Sequence, residues 1–316
     1  MPLVPVLAKP VTGSLPTSAV YGQPPAALAV APPYARQVSP LAPDSADLAD
    51  VAAGSLDEML VYAPPGTLER RRVLALALRA LSPDGRLIAL APKDKGGSRL
   101  GAELAAFGCA VDETARKHHR ICETGRPVVA TGLDDAIAEG GPRRLDPSGL
   151  WTWPGVFSWD RLDAGSALLI GALPKLTGKG ADFGCGIGVL SAAVLAASPG
   201  VTALAANDRD SRAVDCARRN LSDPRASVEW RDLIADAPQD GLDFVVMNPP
   251  FHEGGAEDRG LGLAFVKAAY RALRKGGVLW MVANRHLPYD QAVAGLFRET
   301  TRRAEARGFK VLEARK

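Results

Sequence analysis

Cysteine and long apolar runs are both scarce in this sequence. The 316 residues include only four cysteines, and no two of them form a C-x-x-C pair. This spacing indicates neither a disulfide framework nor a zinc site, so we expect no metal and a reducing, cytoplasmic compartment. No apolar run approaches the ~18 residues of a membrane span, and the first residues lack the basic and apolar regions of a signal peptide. We therefore expect no membrane partner.

An excess of one charge is also absent. The 38 Lys+Arg residues nearly balance the 35 Asp+Glu residues, which leaves a net charge of +3. Binding to a polyanion must therefore come from local basic patches and not from the field of the whole molecule. The chain is 47% hydrophobic and 23% charged, which is typical of a globular protein, and it is long enough for two domains.

Proline is distributed unevenly along the chain. Residues 1–45 contain ten of the 25 prolines and show neither helical nor alternating periodicity, so we expect a flexible tail there. After residue 45, strand patterns alternate with helix patterns, which predicts an α/β fold with doubly wound parallel sheets. We expect a first domain over residues 46–145 and a second domain over residues 146–316.

The two predicted domains share a sequence pattern. VYAPP (61–65) corresponds to VMNPP (246–250), and LRALSPDGRLIALAPK (78–93) corresponds to YRALRKGGVLWMVANR (270–285). Any two doubly wound domains share an order of strand, turn and helix, but the common Pro-Pro favours an internal duplication.

A glycine-rich turn follows the predicted strand that ends in Asp182 and Phe183. Gly184, Gly186 and Gly188 allow the backbone to turn sharply and to approach a ligand closely. The spacing differs from the G-x-G-x-x-G of dinucleotide sites, and the Asp182 carboxylate would repel a pyrophosphate but suits a cationic amino-acid group. Of these two cofactors, the pattern favours S-adenosylmethionine over a dinucleotide.

Two further carboxylates end the next predicted strands. Asp208 comes about 20 residues after the glycine turn, the distance expected of an acid that holds ribose hydroxyls. Asp232 ends the following strand, where it would accept a hydrogen bond from the adenine amino group. A surface carboxylate at a strand end is the alternative for Asp232.

A polar turn, Asn248-Pro249-Pro250-Phe251, follows the strand LDFVVM at the edge where α/β sheets bind their ligands. The Asn248 amide oxygen and the Pro249 carbonyl are both acceptors for one planar NH₂ group, and Phe251 offers a ring for stacking. Two acceptors direct the lone pair of the amine toward a methyl donor. Together with the glycine turn, this predicts N-methyl transfer.

The chain resembles the RsmC/RlmG family of ribosomal RNA guanine-N2 methyltransferases in four segments, GVFSWDRLDAGSALLIGAL, DFGCGIGVLS, NPPFHEG and VANRHLPY. The resemblance implies a duplicated class I methyltransferase fold, in which the C-terminal half carries the cofactor and a degenerate N-terminal half assists RNA binding. It also implies that Phe157 and Asp163 border cofactor and substrate, that Asp208 holds the ribose, and that residues 248–251 hold the guanine amino group. Ala63 replaces the asparagine in the shortened first half, which should therefore be inactive.

The expected activity is therefore methyl transfer from S-adenosylmethionine to N2 of a guanine in ribosomal RNA, and we expect that RNA to be of the small subunit. Ribosomal RNA or a ribosomal subunit would be the partner. The same turn suits any planar NH₂ group, so a protein glutamine amide or adenine N6 are alternative acceptors. A non-catalytic RNA-binding assembly factor that has kept its cofactor pocket is the third hypothesis.

Basic and aromatic clusters outside these motifs have two interpretations each. The run ARKHHR (115–120) and the pair Arg143-Arg144 are candidates for contacts with RNA phosphates, and a solvated strand end explains the first equally well. For the arginines between residues 298 and 310 we expect an amphipathic helix. Trp151, Trp153 and Trp159 fit an interdomain core better than base stacking.

Overall fold

The computed structural model describes residues 17–32, 34–236, 240–250, 252–253, 256–257 and 259–316. These residues form two mostly parallel sheets, of six and seven strands, and two short antiparallel hairpins. None of the described helices is long and apolar enough to cross a membrane. The predicted α/β fold is confirmed.

The first sheet is built from β1 (Ser18–Tyr21), β2 (Arg36–Gln37), β3 (Leu56–Tyr62), β4 (Leu81–Pro92), β5 (Asp112–Arg116) and β6 (His119–Gly125). Its spatial order is β2-β1-β3-β4-β6-β5, and β6 runs antiparallel to both of its neighbours, β4 and β5. Three helices accompany it, α1 (Thr67–Ala80), α2 (Leu100–Ala106) and α3 (Leu133–Glu139). Buried leucines and alanines of α1, such as Leu74 and Leu78, pack on the sheet to form the first core.

A hairpin of β7 (Arg143–Leu145) and β8 (Leu150–Thr152), and then α4 (Ala164–Ala172), precede the second sheet. Its strands are β9 (Gly178–Phe183), β10 (Val201–Asp208), β11 (Ala226–Trp230), β12 (Leu242–Met247), β15 (Leu273–Asn284), β16 (Glu299–Ala306) and β17 (Phe309–Arg315). Outside this sheet, β13 (His252–Glu253) and β14 (Ala256–Glu257) form the second hairpin. The spatial order is β11-β10-β9-β12-β15-β17-β16. Its helices are α5 (Val189–Ala197), α6 (Ser211–Asn220), α7 (Arg259–Ala272) and α8 (Tyr289–Ala294).

The two sheets have equivalent topologies. When β3 is aligned with β12, the strands β2-β1-β3-β4-β6-β5 match β10-β9-β12-β15-β17-β16 in order and in direction. In the first sheet a loop and a single 3-10 turn (Leu48–Asp50) replace α5, α6 and β11. This agreement supports the duplication and shows what the first copy has lost.

The prediction of a flexible tail over residues 1–45 is wrong where the structure describes that segment. β1 lies inside the first sheet, between β2 and β3, and all four of its residues are buried. Ala19 is 1% exposed and Val20 8% exposed. The strand is short and fully buried, so it lacks the alternation of polar and apolar residues that reveals a half-buried strand.

The prediction of an amphipathic helix between residues 298 and 310 is also wrong. This segment forms β16 and the start of β17, which pair in antiparallel fashion with Thr301 opposite Glu313. Arg302 pairs with Asp290 and Glu305, and Arg303 with Glu313, so the cations are neutralised by acids. Charged side chains are common on an edge strand because they oppose pairing with further strands.

A buried ionic cluster joins the two halves. Arg212, at the start of α6, donates to Glu69 of α1 at 2.6 Å and to Asp210 at 2.8 and 3.0 Å. All three residues are less than 10% exposed. The Glu69 carboxyl also packs on Gly155, where a Cβ would lie only 2.4 Å away. The first half therefore supports the segments before and after the glycine turn.

The three tryptophans differ in their environment. Trp153 is 9% exposed, stacks under Arg72 of the first half and donates from its indole nitrogen to the Gly140 carbonyl at 2.8 Å, as expected of an interdomain core. Trp151 and Trp159 are only partly buried, and each is covered by arginine. The β7–β8 hairpin spans the domain boundary predicted at residues 145 and 146, and the boundary itself stays a prediction.

Candidate active site

The candidate site lies where the strand order of the second sheet reverses. β9 and β10 lie on one side of this point and β12 on the other, with all three strands parallel. The carboxyl ends of such strands open into a crevice that binds ligands in doubly wound folds. The glycine turn, Asp208 and Asn248 all come from these ends.

The glycine turn has the backbone that its sequence requires. Gly184, Gly186 and Gly188 have φ angles of +72°, +54° and +88°, a region that residues with a Cβ rarely adopt. A Cβ at Gly186 would meet no atom within 4 Å, so the backbone there faces open space. Gly188 caps α5. A ligand is therefore able to approach the turn at Gly186.

Asp208 ends β10 beside this turn. Its Oδ2 accepts from the Gly186 backbone nitrogen at 2.8 Å, and its Oδ1 accepts from the Asp210 nitrogen at 2.9 Å. Burial raises the pKa of Asp208 to about 6. Its position at the predicted distance brings a carboxylate to the glycine turn.

Asp182 and Phe183 contribute in another way. Asp182 is fully buried, and its Oδ2 accepts from the backbone nitrogen and the hydroxyl of Ser191 at 3.0 and 2.7 Å. Burial raises the pKa of Asp182 to about 7, and its Oδ1 has no partner. The Phe183 side chain belongs to the core of the second half. Both residues support the glycine turn from its buried side. A direct contact of either residue with a cofactor stays a prediction.

Asn248, which follows β12, is held by its amide nitrogen. Nδ2 donates to Asp163 Oδ2 at 2.9 Å and to Ser166 Oγ at 3.0 Å, while the buried amide oxygen has no hydrogen-bond partner among the residues that the structure describes. Asp163 is itself fixed as the N-cap of α4, where it accepts from the Ser166 nitrogen at 2.7 Å. The amide is thereby oriented, with its acceptor still available.

One pocket collects most of these groups. Phe157, Asp163, Ser166, Gly184, Gly186 and Asn248 are among the residues that line it. Phe157 is 61% exposed, so its ring offers a surface at the rim of the pocket. Pro249 and Pro250 follow Asn248 directly, whereas Phe251 lies outside the described residues.

Asp232 and Ser166 depart from the sequence analysis in opposite ways. Asp232 does not line this pocket, and its Oδ1 accepts from the backbone nitrogens of Ile234 and Ala235, so its contact with adenine stays a prediction. Ser166 ends the segment that the family resemblance places beside cofactor and substrate, but the sequence pattern indicated no role of its own for it. It lies three residues after the N-cap Asp163, a spacing that brings it next to the capping carboxylate.

The corresponding turn in the first half is filled. Arg70 is 1% exposed and donates from Nη1 to the carbonyls of Pro64 and Pro65 at 3.3 and 2.7 Å. Its other nitrogens donate to Glu103 at 2.7 Å. Ala63 occupies the position of Asn248. In the first half, the two carbonyls of the Pro-Pro turn are therefore occupied by the arginine of a buried ion pair.

The chain is similar to known methyltransferases. The family model "MTS: Methyltransferase small domain" matches residues 148–313. A ribosomal RNA small subunit methyltransferase C of Shewanella amazonensis is 34% identical over 271 residues, which cover 82% of this chain and 77% of the relative. The protein of the same name from Acinetobacter baylyi is 30% identical, over 82% of this chain and 79% of the relative.

A solved structure agrees over both halves. It is described as the T. thermophilus 16S rRNA N2 G1207 methyltransferase (RsmC) in complex with AdoMet and guanosine, and it has a TM-score of 0.70 and 27% identity to this chain. The match covers 86% of this chain and 76% of that one. These comparisons confirm the resemblance that the four sequence segments indicated. The chain therefore belongs to the methyltransferase small domain family and, within it, to the ribosomal RNA small subunit methyltransferases C.

Proposed function

We propose that this protein transfers a methyl group from S-adenosylmethionine to the N2 amino group of a guanine in small-subunit ribosomal RNA. The oriented amide of Asn248 carries the proposal, because its oxygen is a buried acceptor without a partner. Leaving such an acceptor unsatisfied costs about 1–3 kcal/mol. An exocyclic amine has two N–H donors, one for Asn248 and one for the Pro249 carbonyl.

The residues beside the glycine turn fit S-adenosylmethionine. The open backbone at Gly186 admits the ligand, and Asp208 offers carboxylate oxygens to the two ribose hydroxyls. We assign the adenine amino group to Asp232 and a ring contact to Phe157, whose exposed side chain lines the same pocket. When bound, the cofactor supplies an electrophilic methyl group on a sulfonium.

The chemistry required of the protein is mainly orientation. Asp163 and Ser166 hold the Asn248 amide with its oxygen toward the pocket, and Asn248 and Pro249 then direct the lone pair of the amine toward the methyl group. Bringing two reactants into this geometry removes about 7–11 kcal/mol of barrier. The aminium nitrogen formed by the transfer is acidic and loses its proton to water. Stacking of Phe251 on the base remains part of the proposal.

Guanine in ribosomal RNA is favoured over the other acceptors by the relatives. They are described as ribosomal RNA small subunit methyltransferases, and the solved relative is described as a complex with AdoMet and guanosine. The base must leave its stack to enter the pocket, at a cost of a few kcal/mol. We place the reaction in the cytoplasm, in agreement with four cysteines that are all free thiols.

The direct test is a labelling experiment. The protein is incubated with methyl-labelled S-adenosylmethionine in three separate reactions, which contain small ribosomal subunits, naked ribosomal RNA or ribosomal proteins. The products are then digested and identified. We expect label in N2-methylguanosine, and its loss in Asn248→Ala, a variant whose folding is checked by circular dichroism. Label in N6-methyladenosine or in protein glutamine would contradict the proposal, as would cofactor binding without any transfer.

A further inference from the structure

Two arginines lie over the ring of one tryptophan beside the candidate active-site pocket. The guanidinium carbon of Arg144, on β7, lies 4.5 Å from the centre of the Trp151 ring, and that of Arg219, on α6, lies 4.8 Å from it. Both distances are within the range of a cation–π contact. We refer to Arg144, Trp151 and Arg219 as the arginine–tryptophan stack.

The charges of this stack are not neutralised. Among the residues that the structure describes, no carboxylate lies within 4.0 Å of either guanidinium, whereas Arg302 and Arg303 on β16 both have acidic partners. Arg144 and Arg219 are also exposed. Two cations fixed on one ring without a counter-ion make a local basic patch in a chain whose net charge is only +3.

Asn220 fixes the stack relative to the pocket. Its Oδ1 accepts from the Trp151 backbone nitrogen at 2.7 Å, and its Nδ2 donates to the carbonyls of Trp151 and Ile187, both at 2.9 Å. Ile187 belongs to the glycine turn. One side chain thus connects the β7–β8 hairpin, the end of α6 and the glycine turn, so the backbone segments that carry the two arginines are tied to that turn.

The alternation of side chains along the β7–β8 hairpin indicates where the stack lies relative to the pocket. Arg144 is opposite Trp151, and the next pair, Leu145 opposite Leu150, lines the pocket. Neighbouring pairs in a two-stranded ribbon point to opposite faces. The stack therefore lies on the outer face of the same wall whose inner face borders the pocket.

We propose that the arginine–tryptophan stack binds backbone phosphates of the substrate RNA next to the nucleotide that enters the pocket. The inference rests on the proposed function, because it assigns a surface to the same substrate. Guanidinium groups whose orientation is fixed by stacking match the bidentate geometry of phosphate oxygens. Phosphate contacts of this kind set the register of a nucleic acid and carry no sequence information. The stack thus positions the strand while Asn248 selects the amine.

The salt dependence of RNA binding tests the inference. The probe is a fluorescein-labelled 20-nucleotide single-stranded RNA with one central guanine, and its affinity is measured by anisotropy from 50 to 200 mM NaCl. Each phosphate contact with a single strand contributes about 0.7 to the slope of log K against log salt. We expect the double variant Arg144→Ala/Arg219→Ala to reduce the magnitude of this slope by about 1.4 and to leave cofactor affinity unchanged.

Two further double variants separate charge from structure. Arg144→Lys/Arg219→Lys keeps the cations and should retain the wild-type slope. Arg302→Ala/Arg303→Ala removes the same charge from an edge strand where acids neutralise it, and should also leave the slope unchanged. If the wild type binds the probe and the alanine variant keeps its slope, the inference is wrong while the proposed function stands. If the wild type binds the cofactor but no RNA, both are wrong.

Discussion

At the scale of single residues, the site depends on the orientation of one amide. Ser166 provides one of the two contacts that hold the nitrogen of Asn248. Ser166→Ala should lower kcat by about three- to tenfold, the worth of one hydrogen bond, with little change in the KM for the cofactor. Steady-state methylation kinetics measure both parameters.

A matched serine variant serves as the control for this prediction. Ser148 lines the same pocket but donates to the Leu145 carbonyl and not to Asn248. Ser148→Ala should keep the wild-type kcat. Equal losses in the two variants would mean that the anchoring of the amide does not matter.

Cofactor binding should depend on pH through Asp208. Burial raises its pKa to about 6, and ribose hydroxyls bind the ionised form. The Kd for S-adenosylmethionine should therefore rise about tenfold between pH 8 and pH 5. Titration calorimetry across this range tests the prediction. Asp208→Asn should bind weakly at every pH, without this change.

The same carboxylates affect stability with a defined sign. In the folded protein burial raises the pKa of Asp182 to about 7 and that of Asp208 to about 6, whereas an unfolded aspartate titrates near 3.9. Between about pH 4 and pH 7 the folded state therefore binds more protons than the unfolded state. The contribution of these two groups to the free energy of unfolding is greatest at low pH and decreases as the pH rises through this window.

Sequence spacing located the residues whose role is set by a local motif. The three glycines, Asp208 and Asn248 follow strand ends in a fixed pattern, and the structure brings them to one edge of the sheet. Ser166 and Asn220 were missed because each acts on a residue 69 to 82 positions away. No local pattern encodes such a pairing.

At the scale of elements, the proline-rich composition of residues 1–45 led to a wrong prediction for β1. The prolines around it indicate a coil, but the four residues of the strand are buried on both faces of a parallel sheet. Ala19→Asp should lower the free energy of unfolding by about 3 kcal/mol, because it buries a carboxylate without a partner. Urea denaturation measures this loss.

The control for β1 lies in the same proline-rich segment. Ala27 is exposed in the loop between β1 and β2, and Ala27→Asp should change the stability by less than about 0.5 kcal/mol. Neutral results for both substitutions would restore the interpretation of a flexible tail.

At the scale of the whole molecule, a chain of hydrogen bonds connects the first half to the proposed cofactor site. Glu69 holds Arg212, Arg212 holds Asp210, and the Asp210 nitrogen donates to Asp208. Glu69→Gln removes the charge at the start of this chain of contacts. We expect it to raise the Kd for S-adenosylmethionine by about three- to tenfold, as measured by titration calorimetry.

A second buried ion pair provides the control for this coupling. Glu103 pairs with Arg70 inside the first half at 2.7 Å and is buried to a similar degree, and its side-chain hydrogen bonds in the described part of the chain go to Arg70 and not to α6. Glu103→Gln should destabilise the fold as much as Glu69→Gln and leave the cofactor affinity unchanged. Equal effects of the two variants on affinity would show that only global stability is involved.

The duplicated architecture was predictable because both copies retain a Pro-Pro turn after an apolar strand. The extent of the first copy was not, since a loop and one 3-10 turn replace two helices and a strand without leaving a recognisable pattern. The strand order of the first sheet identifies β1 and β2 as the counterparts of β9 and β10.

The ion pair of Arg70 and Glu103 limits the substitutions that could restore the Pro-Pro turn of the first half. Ala63→Asn would return an amide to the old turn, but Arg70 would still occupy the carbonyls of Pro64 and Pro65. Removing Arg70 alone would leave Glu103 as a buried charge without its partner, at a cost of about 3–5 kcal/mol. Neither of these two substitutions both opens the turn and keeps the buried ion pair intact. Restoring the turn of the first half would therefore take at least two changes made together, one at Ala63 and one that removes both charges of the ion pair.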